Sequence, residues 1–329
     1  MSIRIIKAGV LDSFQDWGRY GYRHLGINPG GSMDKFSATT ANMLVGNSPD
    51  EAIIEMHFPA SVFLFEKPAL IALAGADFSA SINGESIPLL HAVAVNKNTI
   101  LQLQQPLYGA RVYLAIKGGF KIDQWLDSYS THLKAMVGGF NGRSLRKDDQ
   151  IFFQEINGLA SLPGEKDFII LPWQADNNWN ENSGEKLWIL PGHEWEGLTQ
   201  KSQDNFLNSS FTITNQSDRM GYRLNGSILE MKTNEELVSS AVSFGTIQLL
   251  PDGRLILLMA DHQTTGGYPR TAHVITAHHS KAAQMKSGDQ IYFHFTDLQT
   301  AESLLLKQQQ HLLQLQNACK FKLESFLNA

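Results

Sequence analysis

A polar loop that follows an apolar run is the stretch of this chain best suited to chemistry. Residues 254–260 are nearly all apolar, and a different kind of sequence follows them: Asp261, His262, Gln263, Thr264, Thr265, Gly266, Gly267 and Tyr268. The loop offers a carboxylate, an imidazole, an amide and hydroxyls, and its glycines let a ligand approach the backbone closely. Loops placed by a buried strand often carry binding groups, so we predict a site here. A polar turn that satisfies only local backbone groups would use the same residue types.

Within this loop, Asp261, His262 and Gln263 are the candidate catalytic residues, and residues 264–268 are assigned to substrate binding. A carboxylate can act as a base and an imidazole as a proton shuttle. Adjacent residues on an extended backbone point to opposite sides, so Asp261 and His262 would not easily face one ligand.

Arginines next to glycines in predicted loops form a second group of candidates. We assign four of them, with three other polar residues, to substrate binding: Arg19, Arg143, Arg219 and Arg223, together with Asp34, Asp218 and Tyr222. A guanidinium fork binds two oxygens of a carboxylate or phosphate at once. Alternatively, each arginine pairs with a nearby aspartate and only holds its own loop together. The sequence leaves both interpretations open.

The familiar catalytic motifs are missing from the sequence. It has no GxxxxGK[ST] phosphate loop, no GxGxxG after a strand, no HExxH and no GxSxG. His273, His278 and His279 are not at metal-ligand spacing on a helix, and the single cysteine, Cys319, cannot build a cysteine-rich zinc site, so we predict no metal site. Because the chain has no recognisable nucleotide site, we expect it to be inactive when isolated.

Composition narrows the class of protein. A net charge of −5 without a long basic run argues against a nucleic-acid surface. No apolar run approaches the roughly 18 residues of a transmembrane helix, and the N-terminus resembles a short strand rather than a signal peptide. A lone cysteine fits a reducing compartment. These features predict a cytoplasmic protein that binds neither nucleic acid nor membranes.

The elements that would position the candidate residues are mostly strands. Residues 245–250 and 254–260 form a predicted hairpin around a Pro-Asp-Gly turn. In the first half, a helix capped by Ser32 or Asp34 precedes a long β-rich region that ends near residue 153. The predicted fold class is therefore mainly β with a few helices.

Four segments are predicted along the chain. Residues 1–156 form a β-rich N-terminal domain, residues 157–185 a linker, residues 186–296 a C-terminal domain and residues 297–329 a terminal helix. The linker is placed where residues 176–184 make the most solvated run. In the terminal segment, leucines recur at near-helical spacing among glutamines. This pattern predicts an amphipathic helix that contributes to assembly but is dispensable for folding.

Several blocks of sequence resemble, in order, the biotin-dependent carboxyltransferase family, also known as the allophanate hydrolase subunit 2 or KipA family. The blocks are FQDWGRYG (14–21), SMD (32–34), ANMLVGN (41–47), LAIKGGF (114–120), GGFNGR (138–143), SDRMGYRL (217–224) and DHQTTGGYP (261–269). The resemblance implies a pair of mixed β-barrels of cyclophilin-like character. Members of the family include the C subunit of 5-oxoprolinase, the regulator KipA and the carboxyltransferase region of urea carboxylase.

The resemblance implies three possible functions. The first is the C subunit of an ATP-dependent 5-oxoprolinase, which opens a small cyclic amide. Its two partners would be a KipI-like B subunit and a LamB/YcsF-like A subunit. The second is a KipA-like regulator that binds a kinase inhibitor without turnover. The third is carboxyl transfer to a urea-like amide, with biotin supplied in trans. This chain is not expected to carry biotin, because Gln284-Met285-Lys286-Ser287 lacks the second methionine of a biotin-carrying hairpin.

Overall fold

The computed structural model describes residues 1–154, 166–176, 185–233 and 236–327. The chain forms two compact units, and each unit is assembled from segments that are distant in sequence. The first unit comprises Met1–Gly18, Asp34–Asn177 and Gln310–Ala329, and the second comprises Arg19–Met33 and Asn178–Gln309.

Most of the regular structure is β. In chain order the strands are β1 (Ser2–Lys7), β2 (Ser13–Gln15), β3 (Ile53–Met56), β4 (Val62–Phe65), β5 (Ala69–Asp77), β6 (Ala80–Ile82), β7 (Glu85–Ser86), β8 (His91–Val95), β9 (Thr99–Leu103), β10 (Tyr108–Ile116), β11 (Gln150–Phe152), β12 (Phe168–Gln174), β13 (Lys186–Pro191), β14 (Phe211–Ile213), β15 (Gly221–Asn225), β16 (Ser240–Ala241), β17 (Thr246–Leu249), β18 (Leu255–Leu258), β19 (Thr265–Gly266), β20 (Arg270–Val274) and β21 (Gln290–Phe295). The α-helices of the described residues are α1 (Lys35–Leu44), α2 (Gln200–Asn208), α3 (His279–Ala283) and α4 (Leu298–Leu327).

Two six-stranded sheets build the first unit, with the strand orders β11-β1-β4-β9-β6-β7 and β12-β8-β5-β10-β3-β2. Side chains alternate along β5, so its two faces belong to different cores. Ile71 and Leu73 join a core to which both sheets contribute. Ala72 and Ala74 instead join the core that contains residues of α1 and α4. Small side chains on that face allow helices to pack closely against the sheet.

Local residue preferences account for two features of the first unit. Helix α1 follows Asp34, whose carboxylate accepts hydrogen bonds from the Ser37 backbone N–H at 3.0 Å and from the Ser37 hydroxyl at 2.6 Å. The β6–β7 hairpin turns at Asn83 and Gly84, which have φ values of 50° and 90°. Positive φ at both positions is the geometry that an Asn-Gly turn favours.

A closed seven-stranded barrel builds the second unit, with the strand order β13-β20-β17-β18-β15-β14-β21. The β13–β21 pair is parallel, whereas the β17–β18 hairpin is antiparallel as predicted. Aromatic rings fill part of the core: the ring centroids of Phe206 and Phe293 lie 5.0 Å apart. The predicted class, mainly β with a few helices, is confirmed, and the described strands form one closed barrel where the resemblance implied a pair. The strands described in the first unit form two sheets.

The predicted linker, residues 157–185, lies mostly outside the described residues. Its described part contains β12, which pairs with β8 so that Phe168 lies opposite Val95. The structure therefore has a sheet strand in a stretch whose composition favoured a linker.

The terminal helix α4 is present as predicted, and its second half packs into the first unit. Cys319 and Leu323 are buried in the core that includes α1. The Leu323 Cδ1 atom lies 2.7 Å from the position that a Cβ added at Gly46 would take. The helix is therefore part of a folded core, contrary to the expectation that it would be dispensable. No helix within the described ranges is long and apolar enough to cross a membrane.

Shortening Leu323 tests this packing. We expect Leu323→Ala to lower the free energy of unfolding by about 2–5 kcal/mol, because it removes buried methyl groups and leaves a cavity. The control is Leu313→Ala on the same helix, where the side chain is 57% exposed. Leu313→Ala should change the free energy of unfolding by no more than about 0.5 kcal/mol. Urea unfolding of the two variants measures both values, and equal losses would contradict the packing described here.

Candidate functional site

The predicted catalytic loop begins with a turn at one end of the barrel. Strand β18 ends at Leu258, two residues earlier than the sequence predicted. The backbone N–H of His262 then donates to the carbonyl of Met259 at 3.1 Å, which closes a tight turn. Asp261 and His262 therefore do not lie on extended backbone, and their side chains need not point to opposite sides. Both side chains are buried.

An arm from early in the chain, residues 19–33, completes this end of the barrel within the second unit. The amide of Asn28 donates to the carbonyl of Asp261 at 2.9 Å. Arg219 donates from Nη2 to the carbonyl of Gly31 at 2.6 Å, and the Arg23 guanidinium donates to the carbonyl of Val242. The arm, the 217–220 turn and the loop after β18 therefore meet at one place.

Arg219 and Asp261 form a buried ion pair at the centre of this meeting point. Arg219 Nε lies 2.9 Å from Asp261 Oδ2, and Nη2 lies 3.1 Å from Oδ1. The backbone adds a third contact, because the Asp261 N–H donates to the Arg219 carbonyl at 2.8 Å. Both carboxylate oxygens are thus held in a bidentate pair, which favours a positioning role for Asp261 over that of a base.

Arg19 lies beside this pair and is also buried. A Cβ added at Gly30 would lie 3.0 Å from Arg19 Nη1 and 3.6 Å from Asp261 Oδ1. Gly30 also has a φ of 63°, a conformation that side chains disfavour. The glycine therefore allows the backbone of the arm to pass close to the charged groups.

His262 is held in a defined orientation by the next residue. Its Nδ1 atom lies 2.6 Å from the carbonyl oxygen of Gln263. A carbonyl can only accept, so this contact requires the proton on Nδ1. In the neutral ring, Nε2 is then the basic atom, which is the arrangement that proton transfer needs.

The rest of the loop is a short ribbon in which three residues are exposed. Strand β19 pairs with β16, so that Gly266 lies opposite Ser240. The Thr264 carbonyl accepts from the Val242 N–H at 3.2 Å. The residues of the loop that are exposed are Gln263, Thr265 and Tyr268, whereas Thr264 and Gly267 are half-buried and Gly266 is buried. The exposed side chains of Gln263, Thr265 and Tyr268 carry amide and hydroxyl groups that suit a neutral polar ligand.

A second ion pair anchors the far end of the loop. Arg270 donates from Nη2 to Glu194 Oε1 at 2.7 Å and from Nε to Oε2 at 3.0 Å. Burial raises the pKa of Glu194, but the hydrogen bonds from Arg270 outweigh it and the net pKa is lowered. The carboxylate therefore stays charged and keeps the loop end in place.

The remaining candidates of the second unit flank the 217–220 turn. Asp218 accepts from the Met220 N–H at 2.7 Å, so its carboxylate shapes the turn. Tyr222 is buried and its hydroxyl donates to the Met285 carbonyl at 3.2 Å. Arg223 is exposed, because neighbouring strand residues face opposite sides. All three were assigned to substrate binding from the sequence, but their side chains have different surroundings.

Asp34 and Arg143 lie in the first unit, where each has local partners. Asp34 caps α1, as described above. Arg143 pairs with Asp149 through two hydrogen bonds of 2.7 and 2.8 Å. Local pairing is the alternative that the sequence left open for arginines, and the geometry of Arg143 favours it. In the described parts of both units, no cluster of histidine, cysteine and acidic residues could hold a metal ion.

A family model described as "Carboxyltransferase domain, subdomain A and B" matches residues 25–295. The chain belongs to this family. The resemblance seen in the sequence blocks is therefore confirmed. The family model includes the 217–224 and 261–269 blocks that form the barrel end described above.

Similar proteins are known by name and by structure. The C subunits of 5-oxoprolinase from Haemophilus influenzae and Escherichia coli are each 34% identical to this chain, over 95% of this chain and 97% of their own length. The urea amidolyase of K. lactis is similar in structure over 95% of this chain, with a TM-score of 0.86 and 27% identity. This chain spans only 20% of that amidolyase chain.

Proposed function

We propose that this chain is the C subunit of an ATP-dependent 5-oxoprolinase, a complex that hydrolyses 5-oxoproline to glutamate. The observation that carries the proposal is the 34% identity to two 5-oxoprolinase proteins of this type along 97% of their length. The likeness to urea amidolyase covers only 20% of that longer chain. The proposed partners are the KipI-like and the LamB/YcsF-like proteins of the same complex, and the proposed location is the cytoplasm.

The barrel end supports this function through the types of group it presents. Opening a lactam requires a proton to leave the attacking water and a proton to reach the ring nitrogen when the C–N bond breaks. We assign both transfers to Nε2 of His262, whose orientation is set by the Gln263 carbonyl contact of 2.6 Å. The exposed Gln263 and Thr265 offer neutral hydrogen bonds that suit an amide substrate.

The Arg219–Asp261 pair holds this turn in place. Its buried charges fix the backbone between residues 259 and 262, and therefore the starting point of His262. Thr264, Gly266, Gly267 and Tyr268 form the wall of the site in this proposal, and Arg19 and Arg223 contribute positive charge that suits the substrate carboxylate.

Two of the candidate arginines are not open to a phosphate group. Arg143 and Arg219 each have a carboxylate held in bidentate contact, so neither fork is open to a phosphate. The sequence also lacks a phosphate-binding loop. We therefore place the use of ATP in the assembled complex and assign no residue of this chain to it.

Reconstitution tests the proposed function. We expect the purified chain, mixed with the KipI-like and LamB/YcsF-like partners, to consume ATP only when 5-oxoproline is present and to release glutamate. The chain alone should be inactive, because it lacks a recognisable nucleotide site. The matched control is the mixture of the two partners without this chain. Carboxylation of a urea-like amide by added carboxybiotin, or an unchanged rate when this chain is omitted, would contradict the proposal.

A further inference from the structure

One buried polar side chain beneath the loop has no role in the mechanism above. Gln248 lies on β17 between Ile247 and Leu249, which belong to the barrel core. Its side chain is 1% exposed. A buried amide is unfavourable unless it is hydrogen-bonded, so its partners indicate why it is there.

The Gln248 amide reaches the far side of the predicted substrate loop. Its Nε2 atom donates to the carbonyl of Tyr268 at 3.3 Å. The same nitrogen lies 2.7 Å from the position that a Cβ added at Gly266 would take, and the Nε2 atom of Gln263 lies 3.1 Å from that position. Two amides therefore approach the bare backbone of Gly266. A side chain at residue 266 would displace at least one of them.

We propose that Gln248 is a positioning residue for Gln263. By holding the Tyr268 carbonyl, the buried amide fixes the Gly266–Tyr268 segment, and that segment is the surface on which the Gln263 amide rests. Gln263 is exposed and is the group that we assign to the amide substrate. The role of Gln263 in binding the substrate rests on the proposed function. The contact between Gln248 and the loop is independent of that function, because it follows from the geometry alone.

A double-mutant cycle in the reconstituted complex tests this link. Gln248→Met keeps the length of the side chain and removes its donor, and Gln263→Met does the same at the surface. We expect each single change to lower kcat/KM for 5-oxoproline by about 2- to 12-fold, the effect of one neutral hydrogen bond. The double variant should lose no more than the less active of the two single variants. Gln102→Met, at an exposed strand position in the first unit, should leave kcat/KM unchanged.

A merely structural Gln248 would give another pattern. In that case the fold-decreases in kcat/KM of Gln248→Met and Gln263→Met would multiply in the double variant. Alternatively, Gln248→Met would lower the melting temperature and leave kcat/KM per folded molecule unchanged. Either outcome would overturn the positioning role.

Hydrogen exchange on the full chain without partners separates this inference from the proposed function. In Gln248→Met we expect the backbone amides of residues 264–268 to exchange about 2- to 12-fold faster, because the loop loses one anchor. Gln102→Met should not change them. If the complex shows no 5-oxoprolinase activity, the proposed function fails, and this measurement still tests whether Gln248 holds the loop. Unchanged exchange in Gln248→Met would refute it.

Discussion

The variant His262→Asn should lower kcat of the reconstituted complex by about 10²–10⁴-fold, the usual contribution of a positioned acid–base group. Asparagine can still donate to the Gln263 carbonyl, which His262 Nδ1 contacts at 2.6 Å in the native chain. It has no basic nitrogen in the place of Nε2, so proton transfer should fail while the turn stays folded. Steady-state kinetics and a melting curve of the same preparation measure the two effects separately.

Two comparisons make this result specific. His294→Asn changes a half-buried histidine on β21 of the same unit, and we expect kcat to remain at the native value. Added imidazole should restore part of the activity of His262→Ala, because a free base can replace the missing one. A kcat for His262→Asn within about 3-fold of the native value, well below the range for acid–base groups, would remove His262 from the mechanism.

Arg219→Met should be the most destabilising of the changes considered in the second unit. Arg219 and Asp261 are both buried, and the arginine also donates to the Gly31 carbonyl at 2.6 Å. Removing one partner of a buried pair leaves the other charge without compensation, which costs about 3–5 kcal/mol. Arg219→Lys should be destabilised by a smaller amount, because lysine keeps the charge but not the guanidinium fork. Chemical denaturation measures the free energy of unfolding.

Arg223→Met is the matched control, since Arg223 is exposed on the strand that follows the same turn. We expect it to change stability by less than about 0.5 kcal/mol. The double variant Arg219→Met with Asp261→Leu should recover part of the loss, because it removes both buried charges together. Equal stability of the Arg219 and Arg223 variants would mean that the ion pair does not hold the turn.

Signals confined to a few neighbouring residues predicted the structure well. The Asp34 cap and the β17–β18 hairpin both follow from local residue preferences. Helix α2 was not predicted, because Gln200–Asn208 is largely polar and only Phe206 and Ser202 are buried. Its helical state depends on packing against the barrel, and a hydrophobic pattern gives little sign of that.

The candidate site was predicted only in part. The polar loop after β18 was recognised from its residue types, but the contacts that organise it are far apart in the chain. Asn28 and Asp261 are 233 residues apart, and Arg219 and Asp261 are 42 apart. Arg143 and Asp149, by contrast, are only 6 apart, within the range of the local pairing that the sequence suggested. Gln248 was missed because a single amide in an apolar strand gives no sign of what it contacts.

The interleaved course of the chain limits how this protein can be divided. Residues 19–33 belong to the barrel unit although they lie near the N-terminus, and residues 310–329 belong to the sheet unit although they lie at the C-terminus. No single break in the gene therefore gives two fragments that each carry a whole unit. Neither unit can therefore be cut out as one uninterrupted fragment that contains no part of the other.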